Sequence, residues 1–228
     1  MYRLMELLKN YDSIKWRNKV EELLKNVIVR KQNTIQIEDI YFDPYLEDSE
    51  THDARAIFIT HSHYDHFSKE DIAKVKNEDT ILVIPKDCLV GALDQFDKNH
   101  ILVVEPNQDY VVGDLRFHTV PMYNINKGYH PKENNWIGYL LDYNDVTYYI
   151  VGDSDETAEV VGTKCDILFI PIGGTYTMDV KEAVSATKLI HPKVVIPTHY
   201  ETVVGTVEDA YEFQRELEGI IPCKIYER

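Results

Sequence analysis

The sequence predicts an α/β fold. Three observations carry that expectation: short β-branched or aromatic segments recur from Asn26 onward, segments of helical spacing fall between them, and potential metal-binding side chains gather where apolar runs end. With 228 residues, 44% of them apolar and 11% aromatic, the chain can bury a large core as one domain with an appendage.

Residues 1–26 set Leu4, Leu7, Leu8, Trp16, Val20, Leu23 and Leu24 at helical spacing. This predicts a broken helix or short helical hairpin that covers the core, makes a dimer contact in a homo-oligomer, or acts as a substrate lid. The domain proper is expected over 27–228. NVIVRK, NTIQIED and IYFDPY read as strands, and AIFIT (56–60) as an apolar strand that stops at a histidine-rich loop. Ser68 with Asp71 three positions later predicts a capped helix over 69–76. Strand TILVIP, a short helix over 86–93, strand ILVVE and a hairpin of YVV and LRFHTV turning at Gly113-Asp114 come next. WIGYLLDY and VTYYIVGD are joined at Asn144-Asp145, and DILFIP ends at Gly173-Gly174. A helix from Asp179 to Ile190, strand KVVIP ending at Thr198-His199, and a helix opened by Thr206 with Asp209 as its capping partner complete the order.

Composition narrows the function. The formal charge of −15 repels nucleic acid and anionic lipid, and the absence of a basic stripe disfavours a nuclease. No window reaches the roughly 20 apolar residues of a membrane span, and the N-terminus lacks a signal-peptide pattern, so no membrane partner and a cytoplasmic location are expected. Cys88, Cys165 and Cys223 are odd in number and lie in or beside apolar segments, which reads as buried free thiols.

The segment ITHSHYDHF (59–67) packs His61, His63, Asp65 and His66 into one short loop. Imidazole nitrogen and carboxylate oxygen suit zinc, manganese or iron. Neighbouring side chains point apart, so one tetrahedral ion cannot accept all four, and two divalent ions sharing the loop are expected. Asp153 in YYIVGDSD and His199 in VVIPTHY stand at strand ends as further donors, Asp153 placed to bridge. Asp43 in IYFDPY is read as orienting the ligand loop from behind. His52, His100 and His191 read as solvated, His118 as a core or surface strand residue, and His130 as a residue of a long loop whose facing is open.

With His61, His63, Asp65, His66, Asp153 and His199 in this chain order, the sequence resembles the metallo-β-lactamase superfamily. PIGGTYTMD, PTHY and IYFDPY are similar to its metal-dependent hydrolase branch that includes L-ascorbate-6-phosphate lactonase. The resemblance runs from Val27 to the C-terminus. It implies a four-layer αββα sandwich with an N-terminal helical extension, His61 and His63 on a first ion, Asp65, His66 and His199 on a second, and Asp153 between them. The third ligand of the first ion, a histidine in the family, is missing after LRFHTV, where Tyr123 and Asn124 stand instead. His130, Asn124 or water is left to fill that position.

The chemistry expected of such a pair is hydrolysis of a small ester, phosphodiester or lactone by a metal-bound hydroxide, since coordination lowers the pKa of water to about 7. Zinc is the expected metal, with manganese or iron as alternatives. Asp65 is expected to steer a proton. Two divalent ions leave the site locally positive, which suits a small anionic substrate, with Lys127 and Lys132 as phosphate contacts or as members of a solvated loop. Tyr123 is a further pocket candidate. Tyr176 and Thr177 read either as pocket lining or as a strand-to-helix turn with Thr177 as cap. The alternatives are a di-iron redox protein of the same fold and a non-catalytic metal-binding or regulatory protein.

Overall fold

The computed structural model describes residues 18–227. Most of the predicted helical extension, including Leu4, Leu7, Leu8 and Trp16, lies outside the described residues. Helix α1 covers 18–24, and its Leu24 is buried in the same apolar cluster as the strands, with Val20 and Leu23 packed against it.

Among the described residues, twelve strands form two six-stranded mixed sheets. The first, in the order β1 to β6, comprises β1 (Val27–Val29), β2 (Ile35–Ile37), β3 (Ile40–Phe42), β4 (Ala54–Phe58), β5 (Lys76–Pro85) and β6 (Ile101–Val104). The second, in the order β12 to β7, comprises β7 (Asp109–Val112), β8 (Leu115–Pro121), β9 (Ile137–Tyr143), β10 (Val146–Ile150), β11 (Ile167–Pro171) and β12 (Val194–Thr198). Strands β3 to β6 run parallel, as do β10 to β12, and the hairpin strands supply the antiparallel edges.

Alternation along the strands builds the layers. In β4, Ala56 and Phe58 face the space between the sheets while Ile57 faces outward; in β11, Ile167 and Phe169 face inward while Leu168 and Ile170 face outward. Outward residues of the first sheet pack beneath α2 (Lys69–Val75) and α3 (Leu89–Ala92). Those of the second pack beneath α4 (Ala158–Gly162), α5 (Val180–Ile190) and α6 (Val207–Glu216). The four-layer αββα sandwich follows from strands that are apolar on both faces.

Between the sheets, Phe42, Phe58, Phe117 and Tyr139 touch ring to ring at centroid distances of 4.9 to 6.0 Å. Each such burial contributes about 1.5–3 kcal/mol. The Tyr139 hydroxyl is satisfied by donating to the Ile59 carbonyl at 2.7 Å, so this ring ties β9 to the strand end that carries the histidine loop.

The caps predicted at Ser68 and Thr206 form. Thr206 and Asp209 make a reciprocal capping box at α6, and the Ser68 hydroxyl accepts from the Asp71 amide at α2. For α5 the cap is Asp179, boxed with Glu182; the Thr177 hydroxyl, expected as a cap, instead donates to the Met178 carbonyl in a buried position. Strand β4 begins two residues earlier than AIFIT because Ala54 pairs with Lys76, and it ends at Phe58 because Thr60 turns to donate its amide to Asp43.

Asp71 joins α2 to the loop before β4. Its carboxylate accepts from the Ser68 hydroxyl, the Lys74 ammonium and the Glu47 amide. Burial works against the charge, but these donors outweigh it and hold the carboxyl below its ordinary pKa. Asp71→Asn is therefore expected to cost about 1–3 kcal/mol at neutral pH. A depressed carboxylate stabilises above the unfolded pKa of about 4 and loses that contribution as pH falls through the folded value. Thermal melts of parent and variant should therefore differ at pH 7 and converge in acid, and an equal gap at both would refute the assignment.

Candidate metal centre

The ligand-type side chains converge at one edge of the sandwich, beyond the C-terminal ends of parallel strands. Asp43 follows β3, His61 to His66 lie between β4 and α2, Asp153 follows β10, and His199 follows β12. Several of these turns need left-handed backbone: φ is 44° at Asp43, 55° at His199, 59° at Gln32 and 70° at Gly152. Gly152 has no alternative, since a Cβ there would fall 2.5 Å from the Met122 sulfur. At Gly173 a Cβ would lie 2.4 Å from the His199 carbonyl oxygen, so the chain passes close enough to seat that loop only without a side chain.

Asp153 is the hub. Its Oδ2 lies 2.9 Å from His199 Nε2, 3.4 Å from His130 Nε2 and 3.9 Å from His61 Nε2, while Oδ1 lies 3.3 Å from His66 Nε2. Around it the donor atoms form three overlapping groups, His61 with His63 and His130, His61 with His66 and Asp153, and Asp65 with His66 and His199. Within each, the atoms lie within 4.8 Å of one another. Asp153 is thus brought from a distant part of the chain into one buried cluster with His61 and His66 of the histidine loop.

Burial and neighbouring charge divide the imidazoles. His61 is held well below its ordinary pKa by burial, reinforced by His66 and other imidazoles against the opposing pull of Asp153, so it is neutral. His63 is lowered for the same first reason. At His66 burial is outweighed by the carboxylates of Asp153 and Asp43, which hold it well above the ordinary value; at His199 burial is outweighed chiefly by Asp153, raising it to about 9. Asp153 and Asp65 stay ionised, because adjacent imidazoles overcome the desolvation that would protonate them. Without a cation, protons on His66 and His199 balance the carboxylates; a cation must displace them.

A second ring of residues fixes these side chains. Asp43 Oδ2 accepts from His66 Nδ1 at 2.7 Å, from the Thr60 hydroxyl at 2.7 Å and from Asn33 at 2.8 Å, while Oδ1 accepts from the Thr60 amide at 2.8 Å. Asn124 Oδ1 accepts from the His130 amide and lies 3.0 Å from His130 Nδ1, and its Nδ2 donates to Asp155 and to the Tyr176 carbonyl. Asn124 thus turns His130 toward Asp153 and points its own amide away.

Three contributors escape the sequence reading. Gln32 Nε2 donates to Asp65 Oδ2 at 2.6 Å and lies 2.7 Å from His199 Nε2, bridging two loops. Asp155 organises the His130 loop through Asn124, the Ile125 amide and Lys127. Trp136 covers His61 and His63 at 4.9 Å each, its Nε1 donating to Asp87. The second aspartate of GDSD and one of only two tryptophans were the available signals.

Of the expected pocket residues, Tyr176 lines the cleft above the cluster. The others lie elsewhere. Lys127 Nζ is bound by Asp155 at 2.8 Å, the Thr177 carbonyl at 2.6 Å and Glu182 at 3.4 Å; Lys132 pairs with Glu159 at 2.9 Å and sits over the Tyr123 ring. Tyr123 donates to Glu159, and Thr177 is fully buried. The phosphate contacts expected of the two lysines are therefore corrected, because carboxylates already neutralise both ammoniums. His52 and His191 are exposed, His100 is partly exposed, and His118 is a surface partner of Asp109. The three cysteines are free, Cys88 buried and the others partly so.

The donor set suits a cation on its own geometry. His66 Nε2, His130 Nε2 and Asp153 Oδ1 are buried and make no hydrogen bond, although all three face the common centre. Unsatisfied lone pairs converging from imidazole and carboxylate are what a divalent metal requires. The comparisons agree with this chemistry. The β-lactamase superfamily domain matches residues 33–199. A UPF0173 metal-dependent hydrolase of Nanoarchaeum equitans is 31% identical over 186 residues, covering 78% of this chain and 84% of its own. A crystal structure from Parabacteroides distasonis superposes with TM-score 0.76 at 26% identity, covering 88% of this chain and 92% of that one. The di-iron β-hydroxylase CmlA of Streptomyces venezuelae shares the fold at TM-score 0.67 and 12% identity, with 88% of this chain and 52% of that chain covered. By sequence, fold and the layout of its donor cluster, the chain belongs to the metallo-β-lactamase superfamily and, within it, to the UPF0173 family.

Proposed function

We propose that this chain is a metal-dependent hydrolase that acts on a small ester, phosphodiester or lactone. The observation that carries the reading is the set of overlapping donor groups joined through His61 and His66, with Asp153 between them. In this reading His61, His63 and His130 hold one divalent ion, Asp65, His66 and His199 hold a second, and Asp153 spans both. Bound there, zinc or manganese supplies an acidified water as nucleophile and a Lewis acid for the scissile group. The chain's own part is to fix the donors: Asp43 orients His66, Asn124 orients His130, and Gln32 ties Asp65 to His199. Asp65 also lines the cleft, where in this reading it steers a proton.

The domain assignment of this reading takes 27–228 as the hydrolase unit and 1–26 as an extension. Unpaired thiols at Cys88, Cys165 and Cys223 are in keeping with a reducing compartment such as the cytoplasm. No helix among the described residues is long and apolar enough to cross a membrane.

Elemental analysis of the purified protein, followed by an ester and lactone panel on the zinc- or manganese-loaded form, tests the reading. Two equivalents of metal with turnover support it, whereas a tightly bound di-iron centre without hydrolysis overturns it. His130→Ala is expected to lose one of the two equivalents and to lower kcat about 100-fold, in the range that loss of about 3 kcal/mol of catalysis produces. Unchanged stoichiometry would remove His130 from the ligand set. The non-catalytic alternative rested on the histidine missing after LRFHTV, and the imidazole of His130 at the first group weakens that ground.

A further inference from the structure

The walls of the cleft, beyond the cluster itself, are Tyr64, Tyr129, Tyr176 and Val203, and its volume is about 210 Å³. That is below the roughly 300–1,000 Å³ of pockets that take drug-sized ligands, so it suits one small group. No lysine or arginine lines it among the described residues. The cations on the adjoining loop, Lys127 and Lys132, are held away by Asp155, Glu182 and Glu159.

The aromatic side chains are presented to solvent instead. Tyr64 is 66% exposed and stands edge-on to Tyr45 at 6.0 Å, and Tyr129, 49% exposed, packs at right angles to Tyr176 at 4.6 Å. Exposed rings grouped at the mouth of a buried donor cluster form a surface for an apolar group. The hydroxyls of Tyr64, Tyr129 and Tyr176 have no protein hydrogen-bond partner among the described residues, so they remain free for a neutral acceptor such as a carbonyl.

Charge counting alone suits an anion, as the sequence led one to expect, and it is the lining that argues the other way. Two divalent ions set against Asp65, Asp153 and one hydroxide leave about one net positive charge, and that charge sits on the ions themselves. A phosphate ester presents several anionic oxygens, for which enzymes ordinarily supply charged or forked donors. The walls offer none.

Resting on the hydrolase reading above, we propose that the site takes an uncharged carboxylic ester or lactone with an alkyl or aryl group beside the acyl carbon, in preference to a phosphate ester. The water oxygen bonds to the acyl carbon and the acyl carbon–alkoxy oxygen bond breaks. The alcohol oxygen takes one proton of the water, and the carboxylic acid releases the other to solvent. Tyr129 and Tyr176 grip the apolar group and Tyr64 closes over it.

The test uses full-length protein carrying two equivalents of zinc and a matched pair of substrates, 4-nitrophenyl butyrate and mono-4-nitrophenyl succinate, with methyl 4-nitrophenyl phosphate as third probe. The pair shares its leaving group and reaction, and differs by a distal carboxylate. The expected result is a kcat/KM about tenfold or more higher for the butyrate, the equivalent of one lost apolar contact. Its KM should be unchanged between about 0.05 and 0.5 M salt, where an ion-guided substrate would weaken. Tyr129→Ala should raise that KM about tenfold with kcat within about threefold, and Tyr64→Lys should shift the preference about tenfold toward the succinate ester. A lower KM for the succinate ester or the phosphodiester than for the butyrate overturns this inference and leaves the hydrolase reading standing. No turnover of any probe by the loaded protein overturns both.

Discussion

With two cations bound as proposed, Asp153→Ala is expected to strip both from the protein and to reduce kcat/KM by about 10⁴-fold or more, the loss of about 5 kcal/mol of metal-dependent stabilisation. The carboxylate lies against His61, His66, His130 and His199 at 2.9 to 3.9 Å, and among the described residues no other carboxylate pairs with all four. Removing it leaves each donor group short of the oxygen that joins them. The backbone at this position does not depend on the carboxylate, because the Asp153 amide donates to the Met122 sulfur and the turn is set by Gly152. Circular dichroism should therefore match the parent while metal content falls to the background of a chelated sample. Two retained equivalents, with activity within tenfold of the parent, would refute the central role of this carboxylate.

His66→Ala should likewise abolish turnover, by about 10³-fold or more, and empty the second group while the fold survives. The danger to folding is Asp43, fully buried and paired with His66 Nδ1 at 2.7 Å, since a stranded buried charge costs about 3–5 kcal/mol. Asp43 is not stranded. The Thr60 amide, the Thr60 hydroxyl and Asn33 still donate to it, which should limit the loss to about 2–3 kcal/mol. For a chain of this size that is a fall in Tm of about 5–10 °C. A variant that fails to fold would mark the loop as structural.

Much of the site was legible because its chemistry is local. Four ligand-type side chains within six residues of the ITHSHYDHF loop mark a metal-seeking segment, and strand periodicity places Asp43, Asp153 and His199 at strand ends whatever the tertiary arrangement. His130 was open for the opposite reason. Its direction is set by Asn124, whose amide is held by Asp155 some thirty positions along the chain, a contact with no local sequence mark. The lysines of the same loop misled by the same route: a free ammonium and one neutralised by Asp155, Glu182 or Glu159 read identically as letters. At α5, Thr177 and Asp179 both had the side chain for a cap, and the turn after Gly174 decided for Asp179.

The sequence by itself determined the alternation of strands and helices, the caps at Ser68 and Thr206, and the metal-seeking character of the histidine loop. Hydrophobic period, capping side chains and donor spacing act over a few residues, so they are written in order along the chain. Only the tertiary structure decided that His130 comes within reach of His61 and His63, that Gln32 and Trp136 pack against the cluster, and that tyrosines in place of lysines face the cleft. Each of those outcomes depends on which distant groups compete for the same charge or the same space, and that competition takes place only once the two sheets have closed on each other.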